Sequence, residues 1–456
     1  MSMPQETDGL TQNVMGTKPI NKLLLSMSIP MMLSMMVQAL YNIVDSIFVA
    51  RISENALTAV TLAFPVQGVM IGVGVGTGVG INALLSKSLG EHNFDRVNKS
   101  AANGFFLIWI SAVLFALAGF FLSEGYFRIQ TDIEEITAMG RDYLFVVSVF
   151  SFAIFNQITL ERLLSSTGKT FYAMLTQITG AIINIILDPI MIFGLFGFPA
   201  LGVKGAAIAT VIGQTSACII GLYFNIRINK EINFSFKGFK PDKWIIKTIY
   251  SVGFSSILMQ ATGSVMNYGI NRIFLSFTPT AIAVFGVFFR LQSFLFMPVF
   301  GLNNAMVPII AFNYGTKSRN RIIYTIKYSM LYAAVIMLFG FLIFQLIPDK
   351  MLGLFNASPE MLSIGIVALR ITSLIFLFAG FCIVGISVFQ AMGNGAESVI
   401  IATARQFGVL LPAAWLLSLL GTIDAVWWAF PIAEIVSLIL CALCMKRLYN
   451  RKIKTL

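Results

Sequence analysis

The sequence IPMMLSMMVQALYNIVDSIFVA, residues 29–50, is long and apolar enough to cross a lipid bilayer as one helix. About 20 residues rising about 1.5 Å each span a hydrocarbon core, and this stretch carries a single charged side chain, Asp45. A second stretch, residues 104–122, carries none. Over the whole chain 57% of residues are hydrophobic and 11% are charged, which excludes a water-soluble fold. We therefore expect an all-α membrane protein.

Apolar stretches alternate with short polar breaks along the chain and predict twelve transmembrane helices. They lie near residues 20–50, 56–86, 100–122, 138–162, 170–195, 203–226, 245–275, 281–312, 322–346, 360–389, 396–420 and 424–446. Lysine and arginine concentrate in alternate loops and in the C-terminal tail. By the positive-inside rule this predicts a multi-pass protein of the cell membrane with both termini in the cytoplasm. The net charge of +11 is explained by this topology, so we expect no nucleic-acid partner.

The two halves of the chain are related by an internal repeat. An offset of 225 residues aligns them without gaps over most of their length, and the shared positions include Gln67 with Gln292, Gly76 with Gly301, Gly90 with Gly315 and Arg96 with Arg321. Six helices per half give both halves the same orientation, related by an axis along the membrane normal. The sequence predicts two pseudo-symmetric six-helix bundles: a first lobe at 1–226, a cytoplasmic linker at 227–244 and a second lobe at 245–456.

Glycines in the second predicted helix have helical spacing. Gly72, Gly76 and Gly80 fall on one face, which suits close contact with another helix. No phosphate-loop pattern passes through them and no strand precedes them. We expect a packing role.

Two carboxylates lie within predicted spans, where charge is costly and marks a functional site. Asp188 follows Asn184 by one helical turn, and Asp45 shares a helix face with three polar residues, Gln38, Tyr41 and Asn42. Oxygen atoms from two acids, an amide and a hydroxyl are suited to sharing a proton or to holding Na⁺. We predict a coupling-ion site for H⁺ or Na⁺ at Asp45, Asn184, Asp188 and Thr210.

The repeat offers an internal control for this interpretation. Ala413 stands opposite Asp188, and the region opposite Asp45 contains Asn267 and Asn271 but no acid. If the acids were needed only for folding a lobe, the second lobe would be expected to keep them. This favours a coupling role over a structural one.

Other charged residues in the spans are less informative. Glu161, Arg162 and Arg405 fall near span ends, where we expect snorkelling or local pairing. Arg290 and Glu434 lie deeper, and Arg290 either lines the second lobe or pairs with a helix end. The chain shows no Walker motif and no catalytic constellation. We expect a transporter rather than an enzyme, with no cofactor and an ion gradient as its source of energy.

Several longer motifs resemble the MATE (multidrug and toxic compound extrusion) family, in its DinF-like and MepA-like bacterial branch. They are SIPMMLSMMVQALYNIVDSIFVARI at 28–52, ALTAVTLAFP at 56–65, GTGVGINALLSKSLGEHN at 76–93, NIILDPIMIFG at 184–194, GAAIATVIGQ at 205–214 and VFGVFFRLQSF at 284–294. The resemblance implies a V-shaped pair of lobes that exports amphipathic, often cationic compounds in exchange for H⁺ or Na⁺. It also implies that Asp45, Asn184, Asp188 and Thr210 form the coupling site, with Tyr41 beside them, and that Arg290 is the family's second-lobe arginine.

One position departs from another branch of that family, whose members carry a glutamate on the seventh helix. Here the nearby residue is Gln260, which puts a cation site in the second lobe in doubt. We expect five polar residues of the spans to line the substrate cavity: Gln38, Tyr41, Asn42, Gln260 and Arg290.

The leading hypothesis is a secondary multidrug antiporter that acts as a monomer in the bilayer. The alternative is a flippase for lipid-linked saccharides or other polar lipids, which needs a broad cationic cavity.

Overall fold

The computed structural model describes residues 13–233, 238–355 and 357–456. Helices dominate these ranges, which contain no strand. The helices of the first half are α1 Ile20–Ala50, α2 Glu54–Gly90, α3 Phe94–Gln130, α4 Glu134–Val149, α5 Phe152–Ser166, α6 Thr170–Phe193 and α7 Gly202–Arg227.

The second half begins its helical part at Lys243. Its helices are α8 Lys243–Leu275, α9 Pro279–Gly315, α10 Arg319–Leu346, α11 Pro359–Thr372, α12 Phe376–Ala391, α13 Gly395–Thr403, α14 Leu411–Ser418, α15 Ile423–Trp427 and α16 Ala429–Leu448. A π-helical segment, Ala404–Leu410, joins α13 to α14, and the short helix Pro348–Gly353 follows α10. The all-α prediction is confirmed.

Length and apolarity support the membrane assignment. Among the residues described, ten helical segments are long and apolar enough to span a bilayer, and α4 with α5, which meet at a 46° bend, add an eleventh. The predicted span at 245–275 corresponds to α8, which is not among these. The multi-pass membrane architecture therefore follows from the helices themselves.

Helices α2, α3 and α8 begin at polar capping residues beyond the apolar stretches. The Ser53 hydroxyl accepts a hydrogen bond from Ala56 N at 3.0 Å, and Asn93 Oδ1 accepts one from Arg96 N at 2.9 Å. Asp242 caps α8 in the same way. Such caps satisfy backbone N–H groups that a helix start leaves free, and they extend these helices past the predicted membrane limits.

The two halves make close contact along the second part of α2, which packs against α8 and α9. A Cβ atom on Gly80 would lie 2.1 Å from the carbonyl oxygen of Ile249, so only glycine permits this approach. A Cβ on Gly90 would lie 2.0 Å from the carbonyl oxygen of Phe312 on α9, whereas one on Gly68, near the middle of α2, would meet nothing within 4 Å. The predicted packing role of the glycine face is confirmed, and the halves separate towards the other end of α2.

A short N-terminal turn, Val14–Thr17, ties the halves together on their closed side. The Asn13 amide donates to the Thr167 carbonyl of the first half at 3.0 Å. Met15 is fully buried, and its carbonyl oxygen accepts a hydrogen bond from Arg321 Nη2 at 2.8 Å and one from Asn313 Nδ2 of α9 at 3.2 Å. The segment is therefore bound to both halves at once.

Candidate functional site: a polar cavity in the first half

A cavity of about 950 Å³ lies within the first half, on the side where the halves have separated. Its size falls in the usual range for binding sites of drug-sized molecules. Three of the predicted cavity residues, Gln38, Tyr41 and Asn42, line it. Arg290 also lines it, and in the described part of the second half it is the one residue to do so. Gln260 lies instead at the contact between the halves, against Gly72.

The predicted coupling residues come together at one edge of this cavity. Asp45 on α1 is 7% exposed and Asp188 on α6 is fully buried. The Asn184 amide donates to Asp188 Oδ1 at 3.2 Å and lies 3.4 Å from the Thr210 hydroxyl of α7. Asp45 and Asp188 are close enough to interact electrostatically. Helical spacing accounts for Asn184 and Asp188, which share a face of α6, whereas Asp45 and Thr210 reach them from α1 and α7.

Three oxygen atoms in this cluster have no hydrogen-bond donor. They are Asp45 Oδ1, Asn184 Oδ1 and Asp188 Oδ2, all buried. Buried polar atoms are rarely left without a partner, and charged ones are the most costly. None of the ion pairs that the structure describes includes Asp45 or Asp188. These three oxygens are therefore buried acceptors without a partner in the structure.

The surrounding side chains complete a polar pocket. Tyr41 on α1 is within hydrogen-bonding reach of Thr210. Gln67 Nε2 donates to the Tyr143 hydroxyl at 3.1 Å, and both residues line the cavity. Gln67 was noted only as a position shared by the two repeats, and Tyr143 lies at the start of an apolar run, so neither was identified as functional from the sequence.

Glu161 and Arg162 are placed differently from the expectation for span ends. Both line the cavity, and Arg162 is only 7% exposed. Arg162 Nη1 donates to Asn304 Oδ1 of α9 at 2.9 Å, so the arginine joins the two halves rather than reaching towards lipid headgroups. The snorkelling interpretation of these two residues is wrong. The end of α5 lies at the closed end of the cavity, where Arg162 contacts Asn304, and not at a lipid-facing edge. We call this closed end the floor of the cavity.

The remaining charged pair lies away from the cavity wall. Arg405 Nη1 and Glu434 Oε2 form an ion pair at 3.1 Å, which is the local pairing expected for Arg405. Glu434 Oε1 is buried without a hydrogen bond.

The cavity does not resemble a site for a transition metal. Among the described residues there is no group of three or more His, Cys, Asp or Glu side chains that could hold a metal ion. The Asp45 cluster offers two carboxylates, one amide oxygen and one hydroxyl. This donor set suits a proton or a hard monovalent cation such as Na⁺.

Comparison with known proteins assigns the chain to a family. The family model described as MatE matches residues 30–190 and 253–416, one stretch in each half. The chain belongs to the MATE family. MATE proteins are membrane transporters and not enzymes.

MATE relatives are similar over almost the whole chain. The "Multidrug export protein MepA" of Staphylococcus haemolyticus is 28% identical over 433 residues, which cover 95% of this chain and 94% of that protein. A crystal structure of a MATE protein in complex with MaL6 is 25% identical, covers 98% of this chain and 100% of its own, and has a TM-score of 0.90.

A second solved structure is equally similar in fold. It is a MOP superfamily transporter from Pyrococcus furiosus, described as having a binding pocket of reversed polarity, with 25% identity and a TM-score of 0.90. The alignment covers 99% of this chain and 100% of that one.

Proposed function

We propose that this MATE protein exports amphipathic, often cationic compounds from the cell in exchange for H⁺ or Na⁺. In this proposal residues 1–226 and 245–456 act as two lobes joined by a linker at 227–244, both termini are cytoplasmic, and the protein works as a monomer. The export function is supported by similarity to a relative named as a multidrug exporter. The cavity of about 950 Å³ is large enough for such compounds.

The coupling ion binds at Asp45, Asn184, Asp188 and Thr210. The observation that carries this assignment is the set of three buried, unpartnered oxygens on the first three of these residues. Without a bound cation, negative charge there is neither solvated nor paired, which is unfavourable in a low-dielectric interior. H⁺ or Na⁺ removes this penalty. Cation binding can therefore shift the balance between two arrangements of the lobes, because a ligand favours the state that binds it better.

The polar-lipid flippase alternative draws on the two arginines of the cavity wall, Arg162 and Arg290. Arg162 is already engaged by Asn304, and the same wall carries the acids Asp45 and Glu161. This mixture suits a pyrophosphate headgroup less well than an organic cation.

Uptake of a fluorescent organic cation into everted membrane vesicles, whose lumen corresponds to the outside of the cell, tests the proposal, with a proton gradient and a sodium gradient imposed in turn. We expect one gradient to drive transport, and Asp45→Asn and Asp188→Asn to abolish it while the protein still inserts into the membrane. Asp132→Asn is the matched control, because Asp132 is an exposed loop carboxylate. Undiminished gradient-driven transport by both intramembrane variants would refute the coupling site.

A further inference from the structure

A second carboxylate in the cavity is not used by the proposed coupling site. Glu161 lies near the end of α5, in the wall of the cavity, and is partly exposed to it. Gln157, one turn earlier, donates from Nε2 to Glu161 Oε1 at 3.0 Å. The Gln177 amide of α6, with its NH₂ group turned towards the carboxylate, lies 3.1 and 3.2 Å from the two oxygens. Two neutral amides thus fix the orientation of the acid.

No cationic side chain forms an ion pair with Glu161 among the described residues. Its sequence neighbour Arg162 donates to Asn304 across the boundary between the halves. Neutral donors orient a carboxylate but leave most of its charge uncompensated. Arg162 acts on Glu161 through a favourable electrostatic interaction but makes no ion-pair contact with it, so the carboxylate remains available to a cation in the cavity.

The two acidic positions differ in the size of ion they can accept. Asp188 is fully buried and Asp45 is 7% exposed, so a bulky molecule cannot reach both. Glu161 opens onto the cavity, whose lining also includes the apolar side chains of Met35 and Ile158. A methionine is a deformable apolar contact that adapts to different shapes. This surrounding suits a lipophilic cation, with its charge on Glu161 and its apolar body along the wall.

The internal repeat indicates that the fold does not require this arrangement. At the offset of 225 residues, Ile386 stands opposite Glu161 and Cys382 opposite Gln157. The second half folds without the acid and without the amide that orients it. Glu161 is therefore a feature of the cavity-bearing half, as Asp45 is.

We propose that Glu161, oriented by Gln157 and Gln177, binds the cationic group of the exported substrate, while the coupling ion occupies the separate cluster at Asp45 and Asp188. This inference rests on the proposed function and adds a division of labour between two acidic sites. Arg162 and Arg290 line the same cavity and oppose cation binding, so the site depends on the Glu161 charge outweighing theirs.

Two probes of matched shape and opposite charge test this site: tetraphenylphosphonium and tetraphenylborate. Their binding is measured at equilibrium on the purified full-length protein in lipid nanodiscs, with no ion gradient and with empty nanodiscs subtracted. We expect the wild-type protein to prefer the phosphonium ion. Glu161→Gln should weaken phosphonium binding by at least about tenfold, the loss expected for one charge-assisted contact, and should remove the preference over borate.

Two further variants control for folding and for charge. Glu161→Asp keeps the carboxylate and should retain phosphonium binding at an intermediate affinity. Glu134→Gln makes the same chemical change at an exposed residue and should bind like the wild type. Unchanged phosphonium binding by Glu161→Gln overturns the proposal, as does a wild-type preference for borate, which would assign the cavity to its arginines.

The binding measurement separates this inference from the proposed function. If neither gradient drives efflux but phosphonium binding still depends on Glu161, the coupling mechanism is wrong and the substrate site stands. If efflux is coupled as proposed but Glu161→Gln binds normally, the substrate site is wrong and the coupling site stands.

Discussion

Arg162 on α5 donates a hydrogen bond to Asn304 on α9, with 2.9 Å between Nη1 and Oδ1, and so joins the two halves at the floor of the cavity. Arg162 is 7% exposed, and a Cβ atom on Gly78 of α2 would lie 2.7 Å from the Arg162 Cγ. The side chain is therefore held on one side by the first half and on the other by the second. Any motion that opens the floor must break this bond.

Asn304→Ala should favour states in which the floor is open. The substitution leaves a buried guanidinium without its acceptor, which costs about 1–3 kcal/mol in the closed arrangement. Distances between spin labels at the floor ends of α2 and α8, measured by pulsed electron resonance, should shift to longer values. Asn303→Ala is the matched control, because Asn303 bonds only weakly, at 3.5 Å, within its own half. An unchanged distance distribution for Asn304→Ala would show that the bond does not hold the floor closed.

Gly80→Ala should separate α2 from α8. Alanine is the better helix former by about 1 kcal/mol, but its Cβ would lie 2.1 Å from the Ile249 carbonyl oxygen, and overpacking of this kind costs about 1–3 kcal/mol or more. The steric effect wins, so we expect a lower melting temperature and a wider label distance. Gly68→Ala on the same helix meets no atom within 4 Å and should raise the melting temperature slightly. Equal behaviour of the two variants would contradict the close-packing argument.

The sequence predicted the membrane helices well but not where each one ends or bends. The prediction for α1 agrees with the structure at both ends, whereas α3 runs from Phe94 to Gln130 against a prediction of 100–122. Hydropathy reports the thickness of the apolar layer, and the capped ends of a helix continue beyond it. The 46° bend between Val149 and Phe152 has no proline or glycine to mark it.

The sequence predicted part of the geometry of the Asp45 cluster but did not predict the cavity floor. Helical spacing alone puts Asn184 and Asp188 on one face, and the structure brings Asp45 to them from another helix. Glu161 and Arg162 were misplaced because distance along a span indicates depth in the membrane, not whether lipid or protein lies alongside. That lateral environment is set by contacts such as Arg162 with Asn304, far apart in the chain.

Arg321→Ala should release the N-terminal turn from the second half. Arg321 Nη2 donates to the carbonyl oxygens of Met15 and Lys18, both at 2.8 Å, and its Nε donates to Asn313 Oδ1 at 2.9 Å. Losing the two bonds to the turn should increase amide hydrogen exchange of residues 14–18 by at least about tenfold, because about 1.4 kcal/mol of local stability corresponds to that factor.

Arg96→Ala is the control for this prediction, since Arg96 is the repeat partner of Arg321. It forms an exposed ion pair with Glu91 instead, and exposed pairs contribute little stability. Exchange of residues 14–18 should therefore stay at the wild-type rate in Arg96→Ala. A similar rise in both variants would mean that Arg321 is not the residue that holds the turn.

Thr210→Val should distinguish a proton from a sodium ion at the coupling site. A proton needs one carboxylate oxygen, whereas Na⁺ needs several oxygen ligands, and Thr210 supplies one beside Asn184. We expect the substitution to reduce the apparent Na⁺ affinity of sodium-driven efflux by about tenfold, as for the loss of one ligand contact, and to leave proton-driven efflux within about twofold. Thr215→Val, on the exposed side of α7 with its hydroxyl bonded to Val211, is the control. If sodium drives transport and both variants keep the wild-type sodium dependence, Thr210 does not belong to the ion site.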